Sequence, residues 1–181
     1  MSRLIGLTLL LAGLSYPFVV YFGLEHFKPW QLGLLLGALW LARVLTSPAR
    51  VGNRWMAGAA IAFCVLVMVV GNAQLLRWYP VLISTFMLGL FGSSLIYGPP
   101  VVERLARMRE PELPAVAIAY TRLVTQVWSG FFLVNGLIAA GLTLWAPMSW
   151  WTLYTGLIAY GLMGLLFAGE WWVRQRVRGR A

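Results

Sequence analysis

The sequence predicts an all-α, polytopic membrane protein, a bundle of about six transmembrane helices with both termini cytoplasmic. Three observations carry this reading. First, 61% of the 181 residues are apolar and only 10% are charged, whereas a soluble domain is about half apolar and about a quarter charged. A core of this size cannot bury so much apolar surface, so a soluble globule and a disordered chain are both excluded. Second, the apolar residues gather into six stretches. Third, the basic residues collect beside alternate stretches, as cytoplasmic loops require.

The stretches run Leu4–Leu24, Trp30–Leu45, Trp55–Gly71, Trp78–Gly98, Leu123–Ala146 and Trp150–Glu170. A span needs about 20 residues. The second and third are short, so Arg43 must snorkel while Trp30 and Trp55 sit at the headgroups; a re-entrant pair is the alternative there. The first stretch follows Met-Ser-Arg without a small-x-small cleavage site, which reads as an uncleaved span kinked at Pro17. No polar linker divides the chain, so residues 1–181 read as a single transmembrane domain without an internal repeat.

The orientation follows from the loops. One side holds Arg3, Arg43, Arg50, Arg54, Arg104, Arg107, Arg109, Arg122, Arg174, Arg176, Arg178 and Arg180; the other holds Lys28 and Arg77. Twelve against two places both termini inside. Eight of the ten Trp lie at span ends, as an aromatic belt requires. The +9 net charge therefore reads as a cytoplasmic anchor facing anionic lipid rather than as a nucleic-acid surface.

Several chemistries are excluded. Cys64 is the one cysteine and His26 the one histidine. Neither an internal disulfide nor a zinc cluster can be built from them, and no metal or cofactor is expected. Cys64 sits mid-span and reads as a small filler, and His26 as a loop residue at the opposite face. No phosphate loop and no Ser-His-acid set is present.

The one sizeable loop, residues 99–122, is the most informative segment. It predicts a short amphipathic helix over Val101–Arg109, a break at Pro111 and Pro114, and a fifth helix starting near Ala115. Glu103 and Arg107 are four apart and can pair, while Arg104 and Arg107 project together. With Arg122 they read either as a solvated basic face or as a site for a phosphate or diphosphate headgroup. The tail arginines read as an anchor. Glu170, at the edge of the sixth span, calls for a partner, either Arg174 or Arg122.

On the fifth span a helical wheel groups Thr121, Arg122, Thr125, Gln126, Trp128, Ser129, Phe132 and Asn135 in one half. Asn135, deep in the bilayer, needs a hydrogen-bond partner. It is either glue between helices or part of a polar cavity wall with Thr125, Gln126, Trp128 and, from the sixth span, Tyr160. Gly156, Tyr160, Gly164 and Ala168 recur every four residues, as do Thr85, Gly89 and Ser93; both sets read as packing seams.

The motifs from Ser93 to Arg178 resemble a family of uncharacterised bacterial inner-membrane proteins. The resemblance rests on Ser94-Leu95, Gly98-Pro99-Pro100, Glu103-Arg104, Ala106-Arg107, Tyr120-Thr121-Arg122 and Thr125-x-x-Trp128-x-x-Phe131-Phe132-x-x-Asn135. It continues through Leu153-Tyr154-x-Gly156, Tyr160, Leu166-Phe167-Ala168-Gly169-Glu170 and Val173-Arg174, with a looser match at Tyr16-Pro17 and Tyr21. Members of this family are often labelled "ketosynthase" because they accompany genes for aryl-polyene and fatty-acid-like products. Condensing enzymes of that kind need a Cys nucleophile with two His, or His and Asn, on a soluble fold, so the label itself does not suit this chain. The resemblance implies an accessory role in a lipid or aryl-polyene pathway, with membrane lipids and membrane or acyl-carrier proteins as partners. The Trp-x-x-Phe-Phe-x-x-Asn run alone is similar to the septation protein A family and implies a cell-envelope role.

The expectation is thus an inner-membrane accessory or scaffold protein. Arg104, Arg107 and Arg122 would bind the anionic group of a lipid-like ligand, with Glu103 and Glu170 orienting them. A small lipid transporter or flippase, and a membrane enzyme using Glu103 or Glu170 as acid or base, are the alternatives.

Overall fold

The computed structural model describes residues 15–23, 26–46, 51–108 and 110–178. The expected first span is therefore described only from residue 15. Arg3, Arg50, Arg109 and Arg180 lie outside the described residues, and the side chains of Arg43 and Trp55 lie outside the described side chains. Among the described residues the chain is helical, with no strand.

A helix over residues 15–23, α1, is followed by α2 (Pro29–Thr46) and α3 (Val51–Val70). Gly71, at φ +64°, ends α3 with its N–H on the Val67 carbonyl at 2.9 Å, a left-handed stop that glycine adopts without a Cβ clash. Asn72 then caps the single turn α4 (Ala73–Leu76), accepting from the Gln74 N–H at 2.8 Å. After α4 come α5 (Tyr79–Ile96), α6 (Val101–Arg107) and α7 (Ala115–Trp145). The chain ends in α8 (Met148–Leu153), a π-helical turn (Tyr154–Ile158) and α9 (Ala159–Arg178). Prolines mark the starts: Pro114 takes the N–H groups of Ala117 and Ile118 at the head of α7, and Pro147 precedes α8.

Among the described residues, three helical stretches are long and apolar enough to cross a membrane: Gln74–Ile96, Ala115–Trp145 and Met148–Gln175, of 23, 31 and 28 residues. They coincide with the fourth, fifth and sixth expected spans. The fifth helix begins at Ala115, as the Pro111 and Pro114 break predicts. The sixth runs past Glu170 to Arg178, because nothing after Glu170 stops a helix. In place of the short second and third stretches stand α2 and α3, of 18 and 20 residues.

The described chain forms two compact units. The first takes the residues up to Tyr79 together with Leu142–Tyr160. Its core is Tyr16, Val20, Leu32, Leu36, Phe63, Cys64, Val67, Leu76 and Trp151. Cys64 is buried there, as the filler reading expects. Gly33 lets α2 approach α3: an added Cβ would lie 3.1 Å from Met68 Cγ and 3.3 Å from the Cys64 carbonyl. Gly156, in the π turn, likewise faces the Phe18 ring, which an added Cβ would meet at 2.9 Å.

A polar knot closes this unit around Arg77. Its Nη2 donates to the carbonyls of Leu142 and Ala146, both at 2.7 Å. Gln74 Nε2 donates to the Thr143 carbonyl at 2.8 Å. In return the Arg77 carbonyl accepts from Thr143 Oγ1 and from Trp151 Nε1, at 3.0 and 3.1 Å. The Leu142 carbonyl also accepts from the Ala146 N–H at 3.1 Å, and Ala146 itself lies just past α7, where carbonyls lack an intrahelical partner. A cation placed there satisfies them and complements the helix dipole.

The second unit takes Pro80–Gly141 and the residues from Gly161 onward. Its aromatic centre is Trp128 with Phe132, joined by Phe91, Phe131 and Phe167 at ring separations of 4.6–5.8 Å. Asn135 Nδ2 donates to Ser84 Oγ at 3.0 Å, fastening α7 to α5. Gly136 allows the approach, since an added Cβ would sit 3.2 Å from Ser84 Cβ.

The small-residue stripes depart from the expected seams. Gly156 is buried, but Gly164, Ala168, Thr85, Gly89 and Ser93 are exposed. Large apolar side chains, led by Trp128 and its phenylalanines, form the contacts of this unit instead.

Candidate functional site: the arginine segment between α5 and α7

Gly98, at φ +90°, turns the chain sharply after α5, and Pro99 and Pro100 lead into α6. Pro100 offers no side-chain cap to α6. Two hydroxyls from neighbouring helices do so instead. Ser94 Oγ accepts from the Val101 N–H at 3.1 Å, and Thr125 Oγ1 accepts from the Val102 N–H at 3.4 Å. Each hydroxyl hands its own proton to a carbonyl of its own helix, Ser94 to Phe91 and Thr125 to Thr121. The first free donors of α6 are thereby satisfied, and α6 is pinned to both α5 and α7. Thr125 is fully buried in this role.

The arginines are held from the same framework. Glu103 is 5% exposed and accepts on Oε1 from Arg107 Nε and Nη2, both at 2.8 Å. Arg107 Nη1 donates onward to the Pro111 carbonyl at 3.0 Å. Arg104 Nε donates to the Pro99 carbonyl at 2.7 Å, and its Nη2 reaches the Tyr97 carbonyl at 3.5 Å. Arg122 Nη2 donates to the Leu95 carbonyl at 3.2 Å. Arg104 and Arg122 thus satisfy the last carbonyls of α5 and the turn beyond it. An arginine has five N–H donors, so each keeps donors that face outward. All three arginine residues are exposed, as are Ile96, Tyr97, Leu105 and Met108 around them.

The Glu103–Arg107 pair forms as the spacing predicts. Arg122 joins the same segment through Leu95. Glu170, half-buried on α9, offers its main-chain carbonyl to the Tyr120 hydroxyl at 3.0 Å. Among the described residues it makes no ion pair with Arg122 or Arg174. Tyr120, noted in the sequence only as part of the Tyr120-Thr121-Arg122 motif, is the residue that engages this position.

The residues expected to line a cavity separate into different roles. Trp128 is buried among phenylalanines. Thr125 caps α6. Asn135 is bound to Ser84, which favours the glue reading. Gln126 is exposed. Gln126 and Asn135 are nine positions apart, and at about 100° per residue that is half a turn around the helix. They therefore share no face, against the grouping expected from the wheel. Tyr160 is half-buried on α9 and belongs to the other unit.

No group of three or more potential metal ligands is present among the described residues. No family model, curated protein or solved structure matches the chain.

Proposed function

We propose that the chain is an inner-membrane accessory protein of six spans, with both termini cytoplasmic, whose arginine segment contacts anionic headgroups at the cytoplasmic face. One observation carries this most: exposed Arg104 and Arg122 are fixed by main-chain carbonyls at the end of α5, beside exposed Ile96 and Tyr97. Held guanidiniums next to apolar and aromatic side chains suit the boundary between headgroups and hydrocarbon. A guanidinium takes phosphate as a fork, and one already positioned loses little freedom on doing so. Glu103 serves to hold Arg107 rather than to act on a substrate. The six-span, inside-facing topology rests on the twelve-to-two distribution of basic residues. The assignment to a lipid or aryl-polyene pathway, with a membrane or acyl-carrier protein as partner, rests on the motif resemblance.

Native mass spectrometry of the gently extracted protein tests this reading, wild type beside Arg104→Gln/Arg122→Gln. An anionic lipid or carrier mass present in the wild type and lost in the variant supports it. Bare protein in both, or the same mass retained in both, leaves the arginines as helix caps and contradicts it.

A further inference from the structure

On the reading that this segment meets anionic headgroups, we infer that Arg104 and Arg122 form one site that selects a phosphomonoester, a terminal phosphate, over the phosphodiester of ordinary phospholipids. The two arginines come from different helices, α6 and α7. Their side chains nevertheless end on one turn: Arg122 on the Leu95 carbonyl, Arg104 on those of Pro99 and Tyr97. All three acceptors lie within residues 95–99, so both guanidiniums are brought to the same end of α5. Gly98, between two of those acceptors, leaves Arg104 uncovered: an added Cβ would already touch its Nη2, at 3.5 Å.

The donors left over set the chemistry. A guanidinium carries five N–H groups, arranged along edges that each fit a pair of oxygens. Arg104 spends its Nε–Nη2 edge on carbonyls, which leaves the Nη1–Nη2 edge. Arg122 gives one Nη2 proton to Leu95 and keeps its other donors. Arg107, by contrast, has Nε, Nη1 and Nη2 all engaged, on Glu103 and Pro111, and the Glu103 carboxylate matches its charge. Among the described residues no carboxylate pairs with Arg104 or Arg122. Glu110 and Glu112 follow the other end of α6. Two positive charges at one turn are therefore unmatched.

A phosphomonoester supplies what two such forks need. It carries about −1.5 to −2 charge at pH 7 and three terminal oxygens. Two forks can share three oxygens, each taking a pair. A phosphodiester has a single charge and two non-bridging oxygens, so both forks compete for the same pair. Ile96 and Tyr97, exposed beside the arginines, suit the chain of a lipid phosphomonoester; a soluble one offers the same head without that contact.

Native mass spectrometry of the full chain in mixed micelles tests the selectivity, with phosphatidic acid, phosphatidylglycerol, cardiolipin and phosphatidylcholine present in equal amounts. Cardiolipin has two charges but only diesters, so it separates charge from the terminal phosphate. Phosphatidic acid is expected to be retained about tenfold over each of the others, the worth of one further charge-assisted hydrogen bond. Arg104→Lys/Arg122→Lys keeps both charges and gives up both planar forks. In it the anionic lipids are expected to stay ahead of phosphatidylcholine while the margin of phosphatidic acid among them falls. Excess glycerol 3-phosphate identifies the source: displacement of phosphatidic acid assigns the site to a soluble phosphomonoester, and persistence assigns it to a lipid, either result upholding the phosphomonoester. Phosphatidylglycerol or cardiolipin retained as well as phosphatidic acid, or an unchanged margin in the lysine variant, overturns the inference and leaves the headgroup reading standing. Phosphatidylcholine retained equally overturns both.

Discussion

Arg77 donates from a single nitrogen to the carbonyls of Leu142 and Ala146, while its own carbonyl accepts from Thr143. One residue before α5 thus closes the end of a helix more than sixty positions later. The arginine at position 77 thus has a structural role of its own.

Replacing Arg77 with Met takes away the side-chain donor to the Ala146 carbonyl and one of the two donors to the Leu142 carbonyl, which keeps the Ala146 N–H. Hydrogen bonds to charged groups contribute about 1.5–3 kcal/mol each, and helix-dipole pairing adds to them. The expected loss of stability in Arg77→Met is about 2–4 kcal/mol, read as a lower unfolding temperature in detergent. Arg77→Lys keeps the charge and has donors enough for both carbonyls, but its side chain is shorter and its ammonium more strongly hydrated. It is expected to fall between the two.

Asn135 and Ser84 form a pair that a double-mutant cycle isolates. Interhelical bonds of this type contribute on the order of 0.6–2 kcal/mol. Asn135→Leu and Ser84→Ala are each expected to destabilise the protein, with a coupling of about 1 kcal/mol between them. Additive effects would show that the 3.0 Å contact holds little.

Glu103 and Arg107 follow the rule for a carboxylate shielded from water. Arg107→Ala leaves the Glu103 carboxylate without its partner; because the Arg107 side chain is 40% exposed, solvent screens the pair and the expected cost is about 1 kcal/mol. The double change Glu103→Met/Arg107→Met removes the charge with its partner and is expected to be milder than Arg107→Ala alone. Chemical unfolding of the purified chain in mild detergent distinguishes these cases.

Ser94→Ala and Thr125→Val each remove one trans cap of α6. Loss of a cap costs about 1 kcal/mol, so the helix is expected to open more often while α5 and α7 stay intact. Faster hydrogen exchange confined to residues 101–107 is the expected signature, and unchanged exchange there would contradict the capping role.

The helical class and the start of α7 were legible in the sequence because both rest on local signals: apolar runs and the prolines at 111 and 114. The Glu103–Arg107 pair was legible for the same reason, being four residues apart on one short helix. The roles of Thr125, Trp128 and Gln126 were not. A wheel drawn too coarsely merges Gln126 with Asn135, although they lie on opposite sides of α7. The cap provided by Thr125 depends on the backbone of α6, twenty-three positions earlier, and no periodicity encodes that. The Arg77 knot was hidden likewise, since its acceptors are main-chain carbonyls that any sequence would supply.

On the proposed reading, the arginines held at the end of α5 prefer anionic headgroups. Electron paramagnetic resonance with spin-labelled lipid, on the full chain in mixed vesicles, measures this directly. A larger motionally restricted fraction is expected for a labelled anionic phospholipid than for a zwitterionic one in the wild type. In Arg104→Gln/Arg122→Gln that difference should shrink markedly, and rising salt should diminish it in the wild type. Equal fractions for the two lipids in the wild type, or an undiminished preference in the variant, would contradict it.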